Sequence, residues 1–154
     1  MDQGKIDTNR AVFGFEDELK AYLIAFALEY ASLRNRAESD AYNKWQSENR
    51  ANGEKWLREF NTSNAHLLAN HCTDKERVYS GFNFGFPSKF DGIEQAIESS
   101  AEIKNKSRAE VYFKTANKFA AEYLFVFVRK GGIWRIDNAK RRWYNSEKYN
   151  SIIL

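Results

Sequence analysis

From Ile97 to Tyr144 the chain reads as a succession of strands joined by tight turns, and the half before it reads as helix. Ile97, Ser99, Ala101 and Ile103 alternate with Glu98, Ser100, Glu102 and Lys104, the two-residue period of a strand covered on one face. Asn105-Lys106-Ser107 turns the chain, and Ala109, Val111 and Phe113 then oppose Glu110, Tyr112 and Lys114. Between Phe119 and Arg129 the pattern changes. Tyr123, Phe125 and Phe127 fall on one side and Leu124, Val126 and Val128 on the other, as in an interior strand. Lys130-Gly131-Gly132 supplies the positive-φ residues of a tight hairpin. A fourth strand, Ile133 to Asp137, then turns Trp134 and Ile136 inward, and Trp143, Tyr144, Tyr149 and Ile152-Ile153-Leu154 remain to close the open end of the core. Helices followed by antiparallel hairpins define an α+β domain, with N-terminal helices packed on a curved antiparallel sheet.

In the helical half, Phe15, Leu19, Tyr22-Leu23, Phe26, Tyr30 and Leu33 recur at three and four residues, which predicts a helix over 15–35. Glu16, Asp17 and Glu18 sit in its first turn, where carboxylates complement unpaired N–H groups. A second helical segment follows over 36–60, marked by Tyr42, Trp45, Trp56 and Phe60 and interrupted at Asn52-Gly53. Asn61-Thr62-Ser63-Asn64 reads as the cap of a further turn, and Thr73-Asp74-Lys75-Glu76 as a capping box. Residues 1–12 read as a flexible leader to a single domain over 13–154.

A chain of 154 residues buries roughly 68–70% of its unfolded surface, enough for a core without crosslinks. Cys72 is the only cysteine, so no disulfide forms within the chain, which favours a reducing compartment. The first residues lack the basic-then-apolar pattern of a signal peptide. The apolar stretch from Leu19 to Leu33 is broken by Lys20 and Glu29, so no membrane span is expected. A cytoplasmic protein is the expectation. Charge is uneven: residues 1–77 hold 13 acidic and 11 basic side chains, residues 78–154 hold 8 and 13, so balances of −2 and +5 make up the net +3. A basic sheet half attracts acidic partners or phosphate at long range.

A helical half, a short aromatic segment and long hairpins ending in Gly132-Ile133-Trp134-Arg135-Ile136-Asp137 resemble the cone of the nuclear transport factor 2 (NTF2) superfamily. Phe84-Gly85-Phe86-Pro87-Ser88-Lys89-Phe90-Asp91 and Ala101-Glu102-Ile103-Lys104-Asn105-Lys106 narrow the likeness. So do Tyr123-Leu124-Phe125-Val126-Phe127 and Arg142-Trp143-Tyr144. Together they resemble the bacterial NTF2-fold immunity proteins, small partners encoded beside polymorphic toxins. The resemblance covers residues 70–154 well and the helical half loosely. It implies a non-enzymatic protein that binds a cognate toxin and occludes its active site, with no cofactor. A homodimer through the sheet face is also compatible with it. The alternative within the superfamily is a small-molecule-binding or isomerase/dehydratase-like enzyme with an Asp or His base in the cone.

The residues offer little for that chemistry. His66 and His71 are five apart, a poor match for one helix face, and with Cys72 they lack any zinc spacing. Asp91 before Gly92 reads as a turn former, and Asp137 as a strand end bonded to backbone or to Arg135. Arg129-Lys130 and Lys140-Arg141-Arg142 lie near Trp134, Trp143 and Tyr144, where Lys and Arg stems covering apolar surface are the first expectation, an acidic protein partner the second and nucleic acid the third. For a toxin-binding role the expected contact residues are Glu98, Glu102, Arg129, Lys140 and Arg141. The acidic pair would mimic phosphates and the basic set would steer toward an acidic surface.

Overall fold

The structure, a computed structural model, describes residues 8–75, 84, 87–116, 121–143 and 146–152, with side chains from residue 15 onward. Two helices, α1 (Thr8–Ser47) and α2 (Gly53–His71), precede five strands: β1 (Ala96–Asn105), β2 (Arg108–Thr115), β3 (Glu122–Lys130), β4 (Ile133–Arg142) and β5 (Asn150–Ile152). The strands pair in sequence order, β1-β2-β3-β4-β5, and every ladder is antiparallel. Register breaks between Ala96 and Glu98, between Ile103 and Asn105, and opposite Val126 and Phe127 bend and twist the sheet, as bulges do.

The interior strand β3 supplies the core as its apolar run predicts. Phe113, Tyr123, Phe125, Phe127 and Ile136 pack from the sheet against Leu23, Ala27, Tyr30 and Ala31 of α1. Phe113 and Phe125 meet edge to face at 5.8 Å, a favoured geometry for ring quadrupoles. Gly131 and Gly132 both have positive φ, so the β3–β4 hairpin turns where expected. β4 runs five residues past the predicted end at Asp137, and its second half gains β5 as a neighbour. Its first half is edged instead by the residues leaving α2, since Cys72 bridges Ile136 and the Thr73 N–H donates to the Ile136 carbonyl at 2.9 Å.

The helical half differs from expectation in three places. α1 is one 40-residue helix, about 60 Å long at 1.5 Å per residue, against about 34 Å for a ten-residue strand. It overruns the sheet, so Phe15 (71% exposed) faces solvent instead of core, while Tyr22 (52%) lies off the buried face that Leu19 and Leu23 share. The break lies where Asn52-Gly53 placed it, but Gly53 begins α2 and the left-handed residues are Asn49, Arg50 and Asn52. Trp45 holds this turn by donating Nε1–H to the Arg50 carbonyl, and Trp56 does so by donating to Glu48. Asn61–Asn64 caps nothing. α2 runs through it, because Asn64 finds a buried partner in Arg34 at 2.7 Å. The capping box at Thr73–Glu76 extends outside the described residues, as do the leader up to residue 7, most of Ser80–Phe86, and Tyr144, Ile153 and Leu154.

Candidate partner-binding site at the open end of the sheet

The apolar stripe of α1 turns polar one turn past Tyr30. Arg34 and Glu38 continue it, and both are only 3% exposed. Buried charges persist only where pairing offsets desolvation, and here it does. Arg34 Nη1 donates to Asn64 of α2, its guanidinium lies 5.0 Å over the Phe60 ring, and its Nε is 3.7 Å from Glu38. The other role of Glu38 is to accept the backbone N–H of Lys89 at 2.8 Å.

Asn35 and Ser39, on the same helix, complete a grip on the Pro87–Asp91 segment. The Asn35 amide donates to the Phe90 carbonyl at 2.8 Å and accepts the Phe90 N–H at 2.9 Å, pairing with that residue as a neighbouring strand would. The hydroxyls of Ser39 and Ser88 lie 3.3 Å apart. Phe90 itself is fully buried, with its ring 5.3 Å from Phe125, 5.7 Å from Tyr123 and 5.9 Å from Tyr30. Tyr123 donates its hydroxyl to the Asp91 carbonyl at 2.7 Å. The Ser-Lys-Phe-Asp run is therefore a plug between helix and sheet, and Asp91 is the turn residue expected.

Behind the plug a cleft of about 530 Å³ opens to the surface, lined among others by Glu38, Lys89, Tyr123, Arg141 and Trp143. Burial pushes the Lys89 ammonium down to about 8, with Arg34 and Arg141 acting the same way and Glu38 opposing them. Burial also pushes the Tyr123 phenol up, out of the range in which it ionises. The Arg141 guanidinium lies 4.6 Å over the Trp143 ring. Among the described residues Glu38 is the one carboxylate in the buried class. Its ties to Arg34 and to the Lys89 backbone make it an anchor, since taking up a proton there would undo a buried pair.

The five expected contact residues do not share one place. Cross-strand register sets Glu98 opposite Lys114, Glu102 opposite Glu110, and Lys140 opposite Leu124, so these three lie on the outer side of the sheet. Arg141 pairs with Tyr123 and lies on the helix-facing side, in the cleft. Arg129 pairs with Trp134 at the exposed end of the β3–β4 hairpin. The outer side is laced with polar contacts. Lys104 bridges Glu102 at 3.1 Å and Glu110 at 3.5 Å. Glu122 accepts from both Tyr112 and Arg142. Burial raises the Glu122 carboxyl, but those two bonds outweigh it and hold the group below the usual range. Sequence reasoning passed over Arg34, Asn35, Glu38 and Lys89. For Arg34, Asn35 and Glu38 the signal was available in the polar residues spaced three and four apart that continue the apolar stripe of α1; Lys89 lies outside that helix and has no such signal.

At the other end of the sheet a second cleft, about 650 Å³, is lined by Leu68, Cys72, Thr73, Lys75, Lys130 and Arg135 among others. Asp137 is held beside it by Thr73 at 2.9 Å and Lys75 at 3.1 Å, and not by Arg135, which donates to the Ala69 carbonyl. His66 is exposed. His71 is buried against Phe26 and Tyr30 with its Nε2 3.4 Å from Glu29. Among the described residues no group of three or more His, Cys, Asp or Glu is placed to hold a metal, and no helix is long and apolar enough to cross a membrane.

Helices packed on one side of an open, five-stranded antiparallel sheet, with a phenylalanine core between them, define an α+β domain of the NTF2-like class. The family model described as NTF2 fold immunity protein matches residues 25–151, most of the chain, and the protein belongs to that family. Comparison with curated proteins and with solved structures finds no match.

Proposed function

We propose that this protein is a stoichiometric inhibitor: it binds a toxin made by the same bacterial cell and covers the toxin's active site, acting in the cytoplasm and catalysing nothing itself. The observation that carries this reading is the family match over residues 25–151. The packed core supports it, because Phe90, Phe113, Phe125 and Phe127 occupy the space between helix and sheet where an isomerase-like relative would hold substrate. Glu38, the buried carboxylate nearest a cleft, is engaged in holding the fold.

The contact surface we infer includes Glu98 and Glu102 on the outer side of β1, with Lys140 on the same side. Arg129 at the hairpin end and Arg141 in the cleft extend it around the sheet. A homodimer through the outer side would compete for the first three. Co-expression with the product of the adjacent gene tests the reading. Survival of the host and a 1:1 complex on gel filtration are expected, and Glu98→Lys with Glu102→Lys should lower affinity at least tenfold. Host death with no complex would overturn the proposal.

A further inference from the structure

We propose that the free edge of β1 is the docking line for an extended segment of the protein partner, which joins the sheet as a further antiparallel strand and sets cationic side chains opposite Glu98 and Glu102. The ladder fixes which backbone groups are on offer. Opposed residues of an antiparallel pair alternate between exchanging both hydrogen bonds and exchanging none. The Arg129 N–H donates to the Ser107 carbonyl, and the Thr115 N–H to the Ala121 carbonyl. In the β2–β3 register those bonds turn the backbone of Ala109, Val111 and Phe113 toward β3. The backbone of Glu110, Tyr112 and Lys114 is thereby turned toward β1, where the partners are Glu102, Ser100 and Glu98. The N–H and C=O groups of Ser99, Ala101 and Ile103 therefore point out of the sheet's edge, and among the described residues nothing meets them.

Natural proteins shorten, cover or charge such edges, and the rest of this sheet conforms. β5 has three residues, and the first half of β4 is covered by the chain leaving α2. β1 has ten residues and keeps a regular register from Glu98 to Ile103, a stretch with no proline and no inward-facing charge. A row of open N–H and C=O groups is satisfied by another extended backbone, and side chains then select which one. On the inner side Ala101 and Ile103 lean on the core beside exposed Ser99, which calls for small or apolar partners. On the outer side the residues opposite Glu98, Ser100 and Glu102 form the non-bonded pairs, where side chains lie closest. Glu98 has Lys114 on its β2 side and Glu102 has Lys104 at 3.1 Å, yet both carboxylates stay exposed. A cation on the open side adds a favourable cross-strand pair, and a carboxylate there is repelled. The pattern selected is Lys or Arg, three residues, then Lys or Arg again. A second copy of β1 matches it poorly. Two-fold pairing about Ser100 sets Glu98 against Glu102 twice, and pairing about Ala101 draws on Lys104, which already bridges Glu102 and Glu110.

The assignment rests on the toxin-binding reading, and the experiment separates the two. The blocked heptapeptide Val-Lys-Val-Thr-Val-Lys-Val, and its counterpart with Glu in place of Lys, are titrated into the whole protein while amide hydrogen exchange is followed residue by residue. The Lys peptide should slow exchange at least tenfold at Ser99, Ala101 and Ile103 and leave Glu98, Ser100 and Glu102, already bonded to β2, unchanged. The Glu peptide should slow none of them, and Glu98→Lys with Glu102→Lys should reverse the preference. The complex with the product of the adjacent gene should protect the same three amides. Ser99→Pro removes an outward N–H at an exposed position where the β2 ladder needs none. It should keep the urea midpoint, abolish the peptide response and lower toxin affinity at least tenfold. Unprotected Ser99, Ala101 and Ile103 amides in the toxin complex, or with the Lys peptide where no toxin binds, would overturn the docking line. Equal protection by the two peptides would overturn the cationic partner, and protection that grows with protein concentration alone would give the edge to a second copy instead. Failure of the wild-type protein to bind any toxin removes the immunity reading, while the peptide exchange still decides the edge.

Discussion

Lys89 shows how one residue carries opposed demands. Its backbone N–H fastens the plug to Glu38, while its ammonium is half-buried, and that burial lowers its proton affinity. The folded-state value of about 8 lies below the ordinary lysine value of 10.5. Below about 8 both folded and unfolded chains carry the charge, and the folded one bears the whole cost of burying it. As pH rises through that value the folded chain sheds the proton first, so stability rises until the unfolded lysine also titrates. Lys89→Met should therefore stabilise the protein at pH 7 by about 1 kcal/mol, discounted for screening at a partly exposed site. The gain should shrink toward zero at pH 10.5. Urea midpoints of both proteins at the two pH values check this, and an equal gain at both would refute it.

At the level of elements, the plug and α1 behave as a unit because Asn35 replaces a missing strand partner for Phe90. Asn35→Ala leaves the Phe90 N–H unpaired and its carbonyl with the Ile93 N–H alone, in a partly buried place, with an expected cost of about 1–3 kcal/mol in urea denaturation. A loss under 0.5 kcal/mol would mean that water takes over both bonds. The hairpins were legible in advance for a local reason. Gly131 and Gly132 sit in the left-handed region their turn requires, and the alternation in β2 and the two-sided run in β3 match their burial. The helical half was less so. A helix period shows which residues share a face, but nothing in it says how far the sheet beneath extends, so Phe15 was assigned to a core that ends before it.

For the molecule as a whole, Phe90 joins the two layers: its ring touches Tyr30 of α1 and Tyr123 and Phe125 of β3. Phe90→Ala should cost about 3–5 kcal/mol. The helical circular dichroism and the aromatic near-ultraviolet signal should also disappear at one shared midpoint, as expected for a single cooperative unit. Two separated midpoints would show that helices and sheet unfold independently.

The amino-acid order by itself determined the layer architecture, the antiparallel hairpins and the aromatic core, because side-chain period, turn glycines and apolar runs act over a few residues. It also carried enough family-specific runs, from Phe84 to Trp143, to indicate the family. Only the tertiary structure decided which charges keep company. Strand register and one-residue bulges set the face on which each charge emerges, so Lys140 and Arg141, adjacent in the chain, point to opposite sides of the sheet. The partners that hold the Arg34–Glu38 pair in place, Asn64 and the Lys89 backbone, come from thirty or more residues away, and no local pattern contains those contacts.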